Sequence, residues 1–218
     1  GTLRYRVENG RGLWQLKLPR GAARLELELE GGPASVPDRF RELLLAYVRG
    51  DPLLPVARLR TRRESVRVPG AEVVHDSVAV LDGQRVTRSF DELEIELLEG
   101  DEKTLRRLEK ALRRAGAGDA ERRPKVFQAL DLEYQPGPAA PAEGAPPGEA
   151  VRAMLRLQLE RMLLRDPGTR LGTDPEELHQ LRVATRRLRA YLRAATPLLG
   201  AEWSEAVGEE LRWAAAEL

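Results

Sequence analysis

One stretch divides this chain into two hydrophobic codes. Residues 132–149, Leu-Glu-Tyr-Gln-Pro-Gly-Pro-Ala-Ala-Pro-Ala-Glu-Gly-Ala-Pro-Pro-Gly-Glu, carry no hydrophobic period. Pro and Gly recur there too often for a helix or a ladder, so the segment reads as a semi-extended linker. Before it, apolar residues mostly alternate; after it, they recur at helical spacing. A chain so divided is neither an all-helical nor an all-strand domain. The pattern predicts an α+β chain with one domain over residues 1–131 and another over 150–218.

The local signals are specific. Leu3, Tyr5 and Val7 alternate with Arg4 and Arg6, Glu8 to Gly12 form a turn, and Leu13 to Leu18 alternate again up to Pro19, which predicts a hairpin. Arg24 to Leu29 has period two. Asp38 to Val48 predicts a helix with Phe40, Leu43, Leu44 and Tyr47 on one face. Pro55 to Val68, Glu72 to Leu81 and Phe90 to Leu98 read as further strands, with a turn at Asp82-Gly83. Asp101 to Ala115 reads as a helix striped by Leu105, Leu108 and Leu112 and stopped by Gly116, with a short helix following over Arg123 to Leu130. After the linker, Ala150 to Leu164 predicts one helix. Asp174, Pro175, Glu176 and Glu177 supply a cap, a first-turn proline and first-turn acids for a second, running to about Ala195. Pro197 and Gly200 end it, and a third helix runs from about Glu202.

Charge removes several function classes. Thirty-six Lys plus Arg face 35 Asp plus Glu, a net charge of +1, which fits neither a uniformly basic nucleic-acid coat nor an acidic tail. The absence of Cys excludes a disulfide scaffold, zinc fingers and thiol catalysis, and a cytoplasmic setting fits best. No apolar run approaches the ~20 residues that a membrane helix needs, so no membrane partner is expected. The basic residues are nearly all Arg; the lysines are Lys17, Lys103, Lys110 and Lys125. GC-rich coding explains such a bias, and so does oxyanion binding by the guanidinium fork. Position decides between them.

In the strands, residues two apart share a face. Arg4 and Arg6 project together, Glu26 and Glu28 share a face, and so do Glu92, Glu94 and Glu96. An ordinary half-exposed sheet explains this pattern. A sheet curled with the charged face inward would instead hold a cationic wall for phosphate and an acidic wall for a hard divalent cation. Leu3-Arg4-Tyr5-Arg6, Trp14-Gln15-Leu16-Lys17-Leu18-Pro19, Thr61-Arg62-Arg63 and Glu92-Leu93-Glu94-Ile95-Glu96-Leu97 together resemble successive strands of a CYTH domain, of the triphosphate tunnel metalloenzyme superfamily. The resemblance covers roughly residues 1–130. It implies an antiparallel β tunnel in which Arg4, Arg6, Lys17 and Arg63 bind triphosphate. Glu94 and Glu96 would hold Mg²⁺ or Mn²⁺, with Glu26 and Asp76 as further candidates. The family's Glu-x-Glu-x-Lys strand does not precede the arginines here. The expectation is therefore an incomplete tunnel, with turnover lacking in this chain and a metal-dependent triphosphatase activity in an intact parent.

In the second domain, His179, Arg182, Arg186, Arg189 and Arg193 are separated by three, four, three and four residues and fall on one helical stripe. Stacked cations cost a few tenths of a kcal/mol per pair, so an anionic partner is expected. His-x-Leu-Arg-Val-x-x-Arg-Arg-Leu-Arg resembles the signature of the CHAD domain, a helical module found fused behind CYTH. The resemblance implies an α-helical bundle that binds inorganic polyphosphate through His179, Arg182, Arg186 and Arg189, with Arg187 and Arg193 beside them. This bundle is also expected to be incomplete, exposing apolar surface that includes Trp203 and Trp213. The combined reading is a bacterial or archaeal CYTH–CHAD protein that binds polyphosphate and binds or hydrolyses a triphosphate-containing small molecule with divalent metal. The alternative is a non-catalytic protein that targets polyphosphate granules and uses a degenerate tunnel as a cradle. Nucleic-acid binding ranks last, because Tyr191 is the one aromatic residue near the ridge.

Overall fold

A computed structural model describes residues 1–20, 23–99, 101–121, 123–133, 137 and 139–218. The elements run β1 (Thr2–Glu8), β2 (Arg11–Arg20), β3 (Ala23–Glu30), α1 (Asp38–Val48), β4 (Arg58–Val68), β5 (Ala71–Asp82), β6 (Arg85–Leu97), α2 (Glu102–Arg114), α3 (Lys125–Ala129), α4 (Pro147–Leu171), α5 (Pro175–Ala194), α6 (Thr196–Leu199) and α7 (Ala201–Glu217). They form two compact units. One joins Gly1–Leu53 to Pro136–Leu218, and the other is Leu54–Gln135.

Among the described residues the strands make two separate antiparallel sheets, β1-β2-β3 and β4-β5-β6, with no ladder between them. The α+β class expected from the sequence is present, and among the described residues the strands do not close into a hydrogen-bonded tunnel. The chain leaves β3 for helix α1 instead of a fourth strand, so the first sheet ends at three.

In the first unit, Asn9 and Gly10 both take positive φ, 49° and 79°, which is the two-residue turn that a twisted hairpin favours. The apolar face of β2, Trp14, Leu16 and Leu18, packs against Phe40, Leu43 and Leu44 of α1. Burying each such side chain contributes about 1.5–3 kcal/mol. Tyr5 tilts onto Trp14 across the ladder, with ring centres 5.3 Å apart, and a Cβ at Gly12 would collide with the Tyr5 hydroxyl. The proline that was expected to stop β2 does not. Pro19 lies beyond the last β1 pair, where only β3 flanks it.

Helix α4 also outruns its sequence signal. It was expected to end at Leu164 but continues through Pro167 to Leu171 and stops at Gly172, whose φ is 67°. Proline has no N–H to give to the carbonyl four residues back, that of Leu163. The Tyr47 hydroxyl of α1 donates to that oxygen at 2.8 Å instead. Helix α5 packs against both α4 and α7, burying Leu181, Ala184, Thr185 and Leu192. Trp203 and Trp213 of α7 are 52% and 65% exposed.

In the second unit β5 is the central strand, and the β4–β5 turn uses Pro69-Gly70 with Gly70 at φ 81°. Among the described residues no helix is long and apolar enough to cross a membrane.

Candidate functional site

Residues directly opposite in a ladder share a face, so register decides which charges meet. In the first sheet Lys17 lies between Thr2 and Glu26, and Gln15 between Arg4 and Glu28. Arg4, Arg6 and Lys17 therefore share one face, as expected, but Glu26 and Glu28 share it too. Arg4 Nε donates to Gln15 Oε1 at 2.7 Å, and Gln15 Nε2 donates to Glu28 Oε1 at 2.5 Å. Arg6 Nη2 reaches Glu28 at 3.2 Å, and Lys17 Nζ reaches Glu26 at 2.8 Å. This face is a neutralised network and not a bare cationic wall. Glu26, a candidate metal ligand from the sequence, serves as the partner of Lys17. Arg63 is not part of this face; it belongs to the second unit.

The second sheet gathers the remaining strand candidates. Arg63, Asp76 and Glu92 are in register across β4, β5 and β6, and Glu94 and Glu96 follow on the same face. The register places His75 on the opposite face, where Nε2 lies 2.9 Å from Asp91 Oδ1. Asp76 is 1% exposed and central. The Arg63 guanidinium grips it as a fork, Nε to Oδ1 at 2.8 Å and Nη2 to Oδ2 at 2.7 Å, and reaches Glu94 at 3.2 Å and Glu96 at 3.6 Å.

A residue without a role in the sequence reading completes the cluster. Lys125, the first residue of α3, places Nζ 2.6 Å from Glu94, 2.9 Å from Asp76 and 3.2 Å from Glu92. Burial works against its charge, but the hydrogen bonds to Glu94 and Asp76 and the field of Glu92 outweigh it and raise its pKa. Burial likewise opposes the Asp76 carboxylate, yet Arg63 and Lys125 hold its pKa below the ordinary value. The oxygens are hard donors of the kind Mg²⁺ and Mn²⁺ take. Those that converge already converge on an ammonium and a guanidinium, and among the described residues no group of three or more His, Asp or Glu is arranged to hold a metal ion. As folded, the cluster does not fit a divalent cation.

Helix α5 differs from both sheets. Asp174 caps it, accepting from the Glu176 amide at 3.0 Å, and Pro175 opens it. Glu177 faces inward, 4% exposed, and accepts from Arg165 of α4 at 3.2 Å. The opposite side presents His179, Arg182, Arg186, Arg187 and Arg193 exposed and Arg189 half-buried. Arg182 donates to the carbonyl oxygen of Leu218. Among the described residues His179, Arg186, Arg187, Arg189 and Arg193 make no hydrogen bond or ion pair. The structure thus brings all six ridge candidates onto one helix, five of them without a partner among the described residues.

Comparison with known proteins finds two families in the chain. The CYTH domain family model matches residues 1–122, and the CHAD domain family model matches residues 153–218. Two curated proteins of Mycobacterium tuberculosis, "Uncharacterized protein MT2285" of strain CDC 1551 / Oshkosh and "Uncharacterized protein Rv2226" of strain H37Rv, are each 32% identical over 235 residues. The matches cover 97% of this chain and 45% of each relative, so the chain spans a little under half the length of those relatives. The chain carries a CYTH domain followed by a CHAD domain and belongs to the CYTH family as a CYTH–CHAD tandem protein.

Proposed function

We propose that this chain is a polyphosphate-binding protein without turnover, in which the α5 ridge takes the polyanion. The observation that carries the reading is the contrast in pairing. The strand cations that the sequence offers as phosphate ligands are held by carboxylates or by Gln15, whereas five ridge residues have no partner among the described residues. From His179 to Arg193 the ridge is ~21 Å long at 1.5 Å per residue, which suits a polymeric anion over a single phosphate. Arg186, Arg187, Arg189 and Arg193 offer forked donors for phosphate oxygens, with His179 at the head of the same stripe. The strand domain serves as a cradle. Its cations would meet a triphosphate by exchanging internal carboxylate partners for phosphate oxygens. Such a protein would act in the cytoplasm, at polyphosphate granules.

The rival reading assigns hydrolysis of a triphosphate-bearing substrate with Mg²⁺ or Mn²⁺. Its support is that Asp76, Glu92, Glu94 and Glu96 do share one face. Two measurements test the proposal, the first against nucleic-acid binding and the second against the rival. Polyphosphate should be retained in preference to single-stranded DNA at equal salt, since base stacking lacks aromatic partners on the ridge. No phosphate should be released from tripolyphosphate in the presence of either metal. DNA retained equally well would remove the ridge reading, and metal-dependent phosphate release would favour the rival.

A further inference from the structure

The strand face that the family likeness assigns to a metal is filled by the chain itself. Three oxygens, Asp76 Oδ2, Glu92 Oε2 and Glu94 Oε1, lie 2.6–3.2 Å from the single Lys125 Nζ atom. A Mg²⁺ or Mn²⁺ ion uses such oxygens at near 2.0–2.1 Å and needs their lone pairs directed at itself. An ammonium already centred among them blocks that convergence. Arg63 also binds both oxygens of Asp76, sharing Oδ2 with Lys125.

The helix that supplies Lys125 is held down at a second point. Arg88 Nη1 donates to the Gln128 carbonyl at 3.0 Å and lies 3.7 Å from Asp131. Helix α3 has five residues and no side-chain cap. A helix that short is not stable by itself in water, so its docked form depends on these anchors. Lys125 is the anchor that enters the acidic face; its side chain is 18% exposed.

We propose that Lys125 is the resident cation of the β4–β6 acidic face, that its ammonium fastens α3 across that face, and that a divalent cation and docked α3 exclude one another there. Lys125 is in this sense the residue that sets cation specificity. The inference uses no property of the α5 ridge, so its failure leaves the polyphosphate reading standing.

The test is Mn²⁺ binding to the 218-residue chain, read as loss of the free-ion paramagnetic resonance signal. The wild-type chain should bind at least tenfold more weakly than Lys125→Met, and the gained site should vanish in Lys125→Met/Glu94→Gln. Equal Mn²⁺ affinity of wild type and Lys125→Met, or no gain on removing the ammonium, overturns the proposal. A second measurement needs no variant. Amine labelling followed by mass spectrometry should modify Lys125 several-fold more slowly than the exposed Lys103 and Lys110 in wild type. Equal rates contradict the proposal, as does Mn²⁺ bound in a Glu94-dependent manner while Lys125 stays protected.

Discussion

The hydroxyl of Tyr47 in α1 donates to the carbonyl oxygen of Leu163 in α4, the acceptor that Pro167 leaves without an amide. A tertiary contact thereby repairs a helix that its own sequence interrupts. Burial, with Glu160 and Asp166 nearby, pushes the phenol pKa up to about 12, so the proton stays available throughout the neutral range. Tyr47→Phe should cost about 0.5–1.5 kcal/mol, the usual net worth of one such bond. Pro167→Ala restores an amide to the same oxygen. The two substitutions should therefore couple, with Tyr47→Phe costing less in the Pro167→Ala background. Chemical denaturation of the four chains measures this, and strict additivity would contradict the repair.

Gly168, one residue further on, is needed for a different reason. A Cβ there would fall 2.6 Å from Cγ and 2.8 Å from Cδ of Glu177. Alanine improves helix propensity by about 1 kcal/mol over glycine, but here it must displace a buried carboxylate from Arg165. Overpacking of this kind costs about 1–3 kcal/mol, so Gly168→Ala should be neutral to destabilising where a solvent-facing helical glycine would give a gain. A raised melting temperature would show that Glu177 moves freely.

Docking of α3 should depend on pH at both ends. The Asp76 pKa is depressed in the folded chain, so its contribution is present above the unfolded value of about 3.9 and is lost as pH falls through the folded one. The Lys125 pKa is raised, so its contribution is present below about 10.4 and is lost as pH rises through the folded value. Hydrogen exchange of residues 125–129 should be protected between about pH 5 and 9 after correction for intrinsic rates, with protection falling below about pH 4. Protection that persists undiminished to about pH 2 would show that α3 is held by something other than these charges.

What the sequence disclosed and what it hid divide by range. Residues 38–48, 101–115 and 174–195 announced helices through stripes, caps and first-turn acids, all of which act over four residues or fewer, and the structure has helices there. The ridge from His179 to Arg193 was legible for the same reason, since a single helix fixes its spacing. The cluster around Asp76 was only half legible. A one-residue slip would exchange Asp76 for His75, and only the ladder against Arg63 and Glu92 settles the register. Lys125 was hidden, because 31 residues separate it from Glu94 and no local period links a short helix to a distant strand. The continuation of α4 was hidden likewise, since Pro167 is a stop signal unless Tyr47 is known to be waiting.

The central claim is that the Arg ridge of α5 binds polyphosphate, and equilibrium binding of long-chain polyphosphate to the wild-type chain and to Arg186→Glu/Arg193→Glu tests it most directly. Both positions are exposed and neither makes an internal bond among the described residues, so folding should survive, as the helical circular dichroism would verify. The account predicts a loss of at least tenfold in affinity at fixed salt, about 1.4 kcal/mol or more. Unchanged affinity in the folded variant would contradict it.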